Sequence, residues 1–508
     1  MKQLTDIIKH ITYSELYINN QSITITGINY NSRLCKQNNI FVAIQGEKLD
    51  GHTYIKDAIE KGASVVICEK LPNIKEEPYN NVSFIVVKNS RLALAEISNV
   101  FYNFPTNKLK VIGITGTNGK TTTTFLLKSI LEEAGKKVGM IGTTGIFIGN
   151  QKIEATHTTP ESLELMQIFT NMLENDIEYV IMEISSHSLI LNRVAKIKFI
   201  AAAFTNLTPE HLDFHKTMIN YAKAKKILFD NLDKNALAII NANDEYAPII
   251  TNNTKAKKIL FANKTITKEQ LDKYNNYNSI AYICNEKLQI KYSTFSLNID
   301  NNCISFKINI PAYFNIENAA TAILIAYYLN INIKTIQDGL AKSYGAPGRL
   351  DAIHLNNNTT VYIDYSHTPD ALEKALKTCK MLLNTIDNNL KNNLICVFGC
   401  GGDRDKTKRP IMGKIAAENA DYIIITDDNP RTENNLDIIN DIKSGIDSIN
   451  NRNNILVIPD REQAIKKAIE ISKENDIILI AGKGHEDYQI IGTTKIHFSD
   501  KEIVLKYK

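Results

Sequence analysis

The sequence predicts an α/β protein of three domains. These are a smaller α/β N-terminal domain, a central parallel sheet with a phosphate loop, and a C-terminal doubly wound, Rossmann-like domain. Three observations carry this. Apolar runs of strand length alternate with helix-like stretches along most of the chain, the pattern of βαβ units. One run leads into a glycine-studded turn, VIGITGTNGKTTTT at residues 111–124. A second series of apolar runs begins after Gly345 and Gly348 and repeats the alternation. The length of 508 residues, 44% of them hydrophobic, is enough for two to four buried cores at roughly 100–200 residues per domain.

In chain order, NIFVAIQG, SVVICE and SFIVVK read as strands between helical stretches. RLALAEISNVFYNFP ends at Pro105 and sets a boundary near 107, giving a first domain over 1–107. TNKLK then leads into the phosphate loop. VIGITG, YVIMEIS, FIAAAFTN and ALAIINAN follow as strands of a parallel sheet. Residues 255–310 contain polar–apolar alternations such as KLQIKYSTFSLNID and read as an antiparallel appendage. After the helix ENAATAILIAYYL, a glycine- and proline-rich turn sets a second boundary near 342, giving domains over 108–342 and 343–508. The last section holds TVYIDY, NLICVFGC, DYIIITD, ILVIPD and IILIAG, a second doubly wound sheet. The Asn-rich runs NNLKNNL and NRNN read as solvated loops.

Composition excludes several classes. A net charge of +4 with no basic block gives nucleic-acid binding no support. No apolar run approaches the roughly 18 residues of a membrane span. The start, MKQLTDIIKHITYSEL, is broken by Asp6, His10 and Glu15 and is not a signal peptide. Seven cysteines without CxxC pairs fit reduced cytoplasmic thiols rather than disulfides or zinc.

Four groups of residues carry chemistry. The phosphate loop departs from G-x-x-x-x-G-K-[ST] only at Ile114, while Gly113, Gly116 and Gly119 keep the backbone flexible. Backbone N–H groups and the helix N-terminus favour an anion, Lys120 reaches the β/γ phosphates and Thr121 can ligate Mg²⁺. In MEISSHSL, Glu183 ends an apolar strand. It is a candidate Mg²⁺ carboxylate, with Ser185 and His187 as substrate contacts; the plain alternative is a strand-end capping box. In TNLTPEHLDFHKTMINYAKAKKILF, His211, Asp213 and His215 cluster at a spacing that a metal would accept, and AKAKK reads by default as a solvated helix face. Finally, CGGDRDKTKRP, DDNPR and AGKGHED each follow an apolar run. Arg404, Arg431 and Lys483 bring positive charge, and Asp428 and Glu486 negative charge. One pocket with both signs suits an amino acid; the alternative is surface loops with salt bridges.

Taken in series, these motifs resemble the Mur ligases over nearly the whole chain. NSR at 31–33, FVAIQGEKLDGHTYI, TGTNGKTT, HTTP, EISSH, NLTPEHLDFH, PGRLD, IDYSHTPDALE, GCGGDRDKTKRP, DNPR and GKGHED occur in the family's order. The resemblance implies an ATP- and Mg²⁺-dependent amide ligase with its active site in the clefts between domains. It adds meso-2,6-diaminopimelate to UDP-N-acetylmuramoyl-L-alanyl-D-glutamate through an acyl phosphate, in peptidoglycan synthesis. It also implies a cytoplasmic monomer whose partners are small molecules. Carried over by position, Gly116, Thr117, Asn118, Gly119, Lys120, Thr121 and Thr122 hold ATP, together with Asn318, Arg349 and Asp364. Thr121, Glu183 and His211 ligate Mg²⁺, joined by Lys225 after reaction with CO₂ to a carbamate; Lys223 and Lys226 are close in register. Ser32, Thr158, Thr159, Ser185 and Arg193 hold the UDP-muramoyl dipeptide. Arg404, Asp428, Asn429, Pro430, Arg431, Gly482 and Glu486 hold the diaminopimelate. Asn31 stands where members often have Asp, and Leu191 where one relative carries Gln. Alternatives of neighbouring chemistry are the L-lysine-adding relative and folylpolyglutamate synthetase. A P-loop regulatory ATPase would need no amino-acid pocket.

Overall fold

Strands buried on both faces read as unbroken apolar runs, and three such sets of strands organise the protein. A computed structural model describes every residue except 21, 47, 48, 150, 156, 264, 265, 275, 387–391 and 450–453. Most of both Asn-rich runs therefore lies outside the described residues. The chain packs as two units, residues 1–120 with 134–280, and residues 121–133 with 281–508.

Besides a short antiparallel pair, Lys2–Gln3 with Thr24–Ile25, the first unit holds the strands of two larger sheets. One comprises β1 (Glu15–Tyr17), β2 (Gly27–Asn29), β3 (Asn39–Val42), β4 (Ala63–Cys68) and β5 (Ser83–Val86), in the order β1-β5-β4-β3-β2. Only β1 runs antiparallel to its neighbour. Helix α1 (Ser90–Phe101) is capped by Asn89, whose side chain accepts from the Leu92 N–H at 2.9 Å. It buries Ala93, Leu94, Ile97 and Val100 in one core with Ile40, Val42, Val65 and Ile67.

The larger sheet has β6 (Lys110–Thr115), β7 (Val138–Gly142), β8 (Gly145–Ile148), β9 (Gln151–Ile153), β10 (Tyr179–Glu183), β11 (Phe199–Phe204), β12 (Leu237–Asn241) and β13 (Lys257–Asn263). Their order is β9-β8-β7-β10-β6-β11-β12-β13, parallel from β7 to β13. From β6 the chain enters α2 (Lys120–Glu133) and continues to β7 on one side. From β11 it passes through α3 (Met218–Asp230) to β12 on the other. The carboxyl ends of β6 and β11 thus flank a reversal of strand order, the position where open α/β sheets bind ligands.

The antiparallel part of the chain starts later than the sequence suggested. Residues 257–263 form β13, parallel to β12, with Lys258 through Ala262 buried without alternation. The antiparallel meander is β14 (Ser279–Leu288), β15 (Ser293–Ile299) and β16 (Asn302–Ile308).

In the second unit the helix α4 (Tyr313–Tyr328) precedes a six-stranded sheet. Its strands are β17 (Asp351–His354), β18 (Thr360–Asp364), β19 (Leu394–Phe398), β20 (Tyr422–Ile425), β21 (Asn454–Val457) and β22 (Ile477–Ala481), in the order β17-β18-β22-β19-β20-β21. All neighbours are parallel except β17 and β18. Both faces are covered. Leu394, Cys396 and Phe398 enter one core, while Ile395 and Val397 enter the other. The loops after β19, β20 and β22 carry the three C-terminal motifs. None of the seven cysteines is paired. Among the described residues no helix is long and apolar enough to cross a membrane.

Candidate functional site

The phosphate loop is bound tightly to the end of β11. The Thr117 N–H donates to the Asn206 carbonyl at 2.8 Å and the Asn118 N–H to Asn206 Oδ1 at 2.9 Å. Thr205 Oγ1 donates back to the Asn118 carbonyl at 2.6 Å. Gly116 has φ +149°, and a Cβ there would lie 1.9 Å from Thr205 Oγ1, so only glycine fits. Lys120 curls over its own loop, with Nζ 2.9 Å from the Gly116 carbonyl and 2.8 Å from that of Thr117.

The three lysines of AKAKK are sorted by burial. Lys223 is exposed, and Lys226 pairs with Asp230 one turn on, the solvated-face behaviour expected of lysines. Lys225 is 1% exposed, and its Nζ donates to the Gly116 carbonyl at 2.9 Å. The ammonium lies 4.5 Å from the centre of the Tyr221 ring. Burial, then the nearby Lys120 cation, holds this amine well below the usual lysine range. Tyr221, which the sequence did not single out, also places its hydroxyl 3.2 Å from Thr117 Oγ1.

The histidine cluster has an ordered interior. His215 is buried, with Nε2 2.8 Å from Ser186 Oγ, and stacks on Tyr221. Burial, then the neighbouring His187, Lys225 and His211, brings its pKa down to about 4, so the ring is neutral. His211 has a left-handed backbone, φ +55°, and meets His187 edge-on at 4.8 Å. Among the described residues no three His, Cys, Asp or Glu form a metal cage, so His211, Asp213 and His215 do not make one together.

Glu183 is 1% exposed at the end of β10, beside Ile114 of β6. Its carboxylate accepts from the Thr143 N–H at 3.0 Å and Thr143 Oγ1 at 3.2 Å. Thr143 Oγ1 lies 3.2 Å from Thr158 Oγ1, and Thr159 Oγ1 donates to the Glu183 carbonyl at 2.8 Å. Arg193 Nη1 donates to the Thr159 carbonyl at 3.1 Å, and its Nε lies 2.8 Å from Glu161, which also pairs with Arg91. Ser185 caps the short helix Ser186–Ile190, accepting from the Ser188 N–H. Leu191 closes that helix. Asn31 caps the turn Ser32–Leu34, accepting from the Arg33 N–H at 3.1 Å, a task that Asp would also perform. Ser32 and Asn31 border a cavity of about 420 Å³ that Tyr30 and Arg91 also line. One buried carboxylate with neighbouring hydroxyls suits a hard cation such as Mg²⁺, which takes one or two carboxylates and completes its shell with phosphates and water.

In the second unit, Asn318 is buried on α4 and donates to Asn315 Oδ1 at 3.2 Å. The Arg349 guanidinium lies over the Tyr365 ring at 5.0 Å. Asp364 is buried, accepts from the Leu350 N–H at 2.8 Å and bonds Ser366 Oγ. Burial raises its pKa, and Arg349 opposes that rise.

The loops after β19 and β20 meet around Gly401 and Gly402. The Gly402 N–H donates to the Asn429 carbonyl, and a Cβ on Gly402 would lie 1.9 Å from the Pro430 oxygen. Arg431 Nη1 donates to the Gly402 carbonyl at 2.8 Å, while Arg404 is exposed and donates to the Asp403 carbonyl at 3.3 Å. Arg409, with no exposed surface, binds Glu433 and Asp441 and ties these loops together. Gly482, φ +118°, opens the loop after β22 opposite the Asp428 carboxylate. Asp428, Asn429 and Glu486 surround the fully buried Lys483 Nζ at 3.5, 3.2 and 3.6 Å. The sequence offered Lys483 as a positive charge but gave it no binding role, because burial of a lysine leaves no local signature.

Comparison with known proteins covers the same regions. Residues 24–102 match the model "Mur ligase family, catalytic domain", 114–326 "Mur ligase middle domain" and 348–484 "Mur ligase, glutamate ligase domain". UDP-N-acetylmuramoyl-L-alanyl-D-glutamate–2,6-diaminopimelate ligase of Clostridium tetani is 43% identical over 505 residues, 99% of this chain and 98% of its own. An enzyme of the same name, numbered 1, from Clostridium acetobutylicum is 43% identical over 507 residues, 99% of each chain. A solved structure of a ligase of that name superposes with a TM-score of 0.68 at 30% identity, covering 96% of both chains. With the phosphate loop, the buried lysine beneath it and the mixed-charge C-terminal loops all falling inside these matches, the chain belongs to the Mur ligase family.

Proposed function

We propose that this chain is an ATP-dependent amide ligase that adds meso-2,6-diaminopimelate to UDP-N-acetylmuramoyl-L-alanyl-D-glutamate in peptidoglycan synthesis. The observation that carries the reading is the end-to-end similarity to relatives bearing that name. Folylpolyglutamate synthetase is disfavoured by the match of residues 24–102 to the Mur ligase front domain. The chain is assigned domains over 1–107, 108–342 and 343–508, and acts as a cytoplasmic monomer on small soluble substrates.

A carboxylate resists attack by an amine because oxide is a very poor leaving group. Phosphorylation of the D-glutamate γ-carboxylate by ATP replaces oxide with phosphate. The diaminopimelate amine then attacks the acyl carbon, and the tetrahedral intermediate expels phosphate to leave the amide. Residues 116–122 cradle the ATP phosphates, and Lys120 leaves its two carbonyl partners to meet them. Asn318, Arg349 and Asp364 hold the nucleotide, and Ser32, Thr158, Thr159, Ser185 and Arg193 hold the UDP-muramoyl dipeptide. Burial lowers the Lys225 pKa and so favours the neutral amine, whose lone pair adds to CO₂; the product is a carbamate anion and one proton. Thr121, Glu183, His211 and this carbamate would hold Mg²⁺, which when bound offsets the phosphate charge.

Arg431, with Arg404, receives the distal carboxylate of diaminopimelate as a planar fork. Asp428, Asn429, Pro430, Gly482 and Glu486 shape the rest of that pocket. The test is phosphate release that requires both the UDP-muramoyl dipeptide and a diamino acid, run with meso-diaminopimelate, L-lysine and L-ornithine. Strong preference for meso-diaminopimelate is expected. Equal use of L-lysine would move the assignment to the lysine-adding relative.

A further inference from the structure

We infer that Lys483 is a positioning residue for diaminopimelate recognition: its buried side chain bridges Asp428 and Glu486 and holds both carboxyl groups in place for the substrate's distal ammonium. The inference rests on the diaminopimelate reading and assigns a role to a residue outside that binding set.

Lys483 has no exposed surface. A buried ammonium needs partners, and three residues from two loops supply them. Asp428 and Asn429 come from the loop after β20, and Glu486 from the loop after β22. The Tyr488 ring lies 5.6 Å from Nζ. The separations to the two carboxylates, 3.5 and 3.6 Å, are longer than the roughly 2.7–2.9 Å of a tight charge-assisted bond. One cation is therefore shared loosely between two anions, which leaves each with accepting capacity for a second. Asn429 fixes the arrangement. Its Nδ2 donates to Glu486 at 3.2 Å, while its Oδ1 accepts from Lys483 and from the Ile490 N–H.

Other charges bear on the pair. Arg461 acts on both carboxylates from α5 (Arg461–Ile471). Tyr488 faces them from the strand that follows the β22 loop, itself hydrogen-bonded to Glu486 and near Arg431, and Tyr365 and His367 from the segment after β18. Among the groups acting on Glu486, burial is the largest and raises its pKa; Lys483 lowers it and Asp428 raises it. Without Lys483, the lowering influence on Glu486 is gone while burial and Asp428 still raise its pKa, so its carboxyl takes a proton at higher pH than in the wild type. The substrate's ammonium then meets one carboxylate instead of two.

The experiment measures meso-diaminopimelate binding by calorimetry, and its KM, from pH 6 to 9 in wild type, Lys483→Met, Lys483→Arg and the double variant Lys483→Met/Glu486→Gln. Lys483→Met should weaken binding about tenfold or more at neutral pH. Its acid limb should move up by about one pH unit or more, with recovery at pH 9 and an unchanged KM for ATP. Lys483→Arg should keep the wild-type limb. The double variant removes one charge of each sign and should fold even if the single variant does not. It should bind weakly but without the shifted limb. An unshifted limb in Lys483→Met, or a shifted limb in the double variant, overturns the inference. Wild-type enzyme indifferent to diaminopimelate would instead overturn the functional reading beneath it.

Discussion

Arg431 combines two properties that substitution can separate. Its backbone is left-handed, φ +51°, although it is not glycine. The loop enforces this: the Arg431 N–H donates to the Ile490 carbonyl at 3.1 Å, and its carbonyl accepts from the Gly492 N–H at 2.8 Å. A left-handed L-residue costs roughly 1–2 kcal/mol. Glycine removes that cost but loses roughly 0.5–1 kcal/mol more chain entropy than alanine on folding. Arg431→Gly should therefore be more stable than Arg431→Ala by about 0.5–1 kcal/mol. Both lack the guanidinium, so both should bind meso-diaminopimelate equally badly. Leaving a buried substrate carboxylate unpaired costs on the order of 2–5 kcal/mol, which is a KM increase of ~30-fold or more. The KM for ATP should hardly move. Denaturant titration gives the stability order, and steady-state kinetics with ATP or diaminopimelate varied gives the rest. Equal stability of the two variants would refute the strain argument. A normal diaminopimelate KM in both would refute the pocket assignment.

Lys225→Ala should abolish most activity, partly restored by added short carboxylic acids, whereas Lys223→Ala should be near wild type because that side chain is exposed; mass spectrometry under bicarbonate should locate the carbamate on Lys225. Gly116→Ala should fold but lose ATP binding, measured by nucleotide titration, because its Cβ would collide with Thr205 Oγ1. The Arg409 guanidinium, chief among several partners, lowers the Glu433 carboxyl from its ordinary 4.5 to about 2. Its stabilising contribution is thus present above about 4.5 and is lost as pH falls towards about 2; stability of Glu433→Gln should depend less on pH across that window in acid-unfolding curves. Asp500→Ala should destabilise by about 3–5 kcal/mol, because it strands the fully buried Arg461, and the double variant with Arg461→Met should recover much of that loss in thermal melts.

The sequence was most legible where function and strand coincide along a few adjacent residues. The run VIGITG followed by TNGKT reveals both β6 and the phosphate loop, because a parallel strand is apolar on both faces and a phosphate loop is continuous in sequence. Legibility failed where the partner is distant. Gly116 and Lys225 are 109 positions apart, and nothing near either foretells their bond. Registers inside AKAKK differ by one or two residues, yet only the helix's packing buries Lys225 and leaves Lys223 in water. The same limit hid Thr143, whose amide and hydroxyl meet Glu183 from 40 positions away. The stretch 255–310 differs from its sequence pattern for another reason. The apolar core of β13, ILFA, directly adjoins residues that alternate, yet an unbroken run of that kind is the mark of a parallel strand.

The C-terminal pocket shows why charge can be read from sequence while arrangement cannot. Arg404, Arg431, Lys483, Asp428 and Glu486 were all visible as charges at strand ends. Burial separates their tasks. Lys483 has no exposed surface and is committed to protein carboxylates. Arg404 is exposed. Arg431 spends one guanidinium N–H on the Gly402 carbonyl, of the five that such a group carries. A cation already shared between two anions is ill placed to pair with a substrate carboxylate. A guanidinium anchored by one bond and aimed by a constrained backbone is well placed to do so. It follows that Arg431→Lys should not rescue Arg431→Ala, because a point charge on a flexible stem lacks the planar fork, while Lys483→Arg should keep its pocket working because only the sign of charge matters there. Measured side by side as the KM for meso-diaminopimelate, rescue at 431 by lysine, or failure at 483 by a folded arginine variant, would show that the two cations have been given each other's roles.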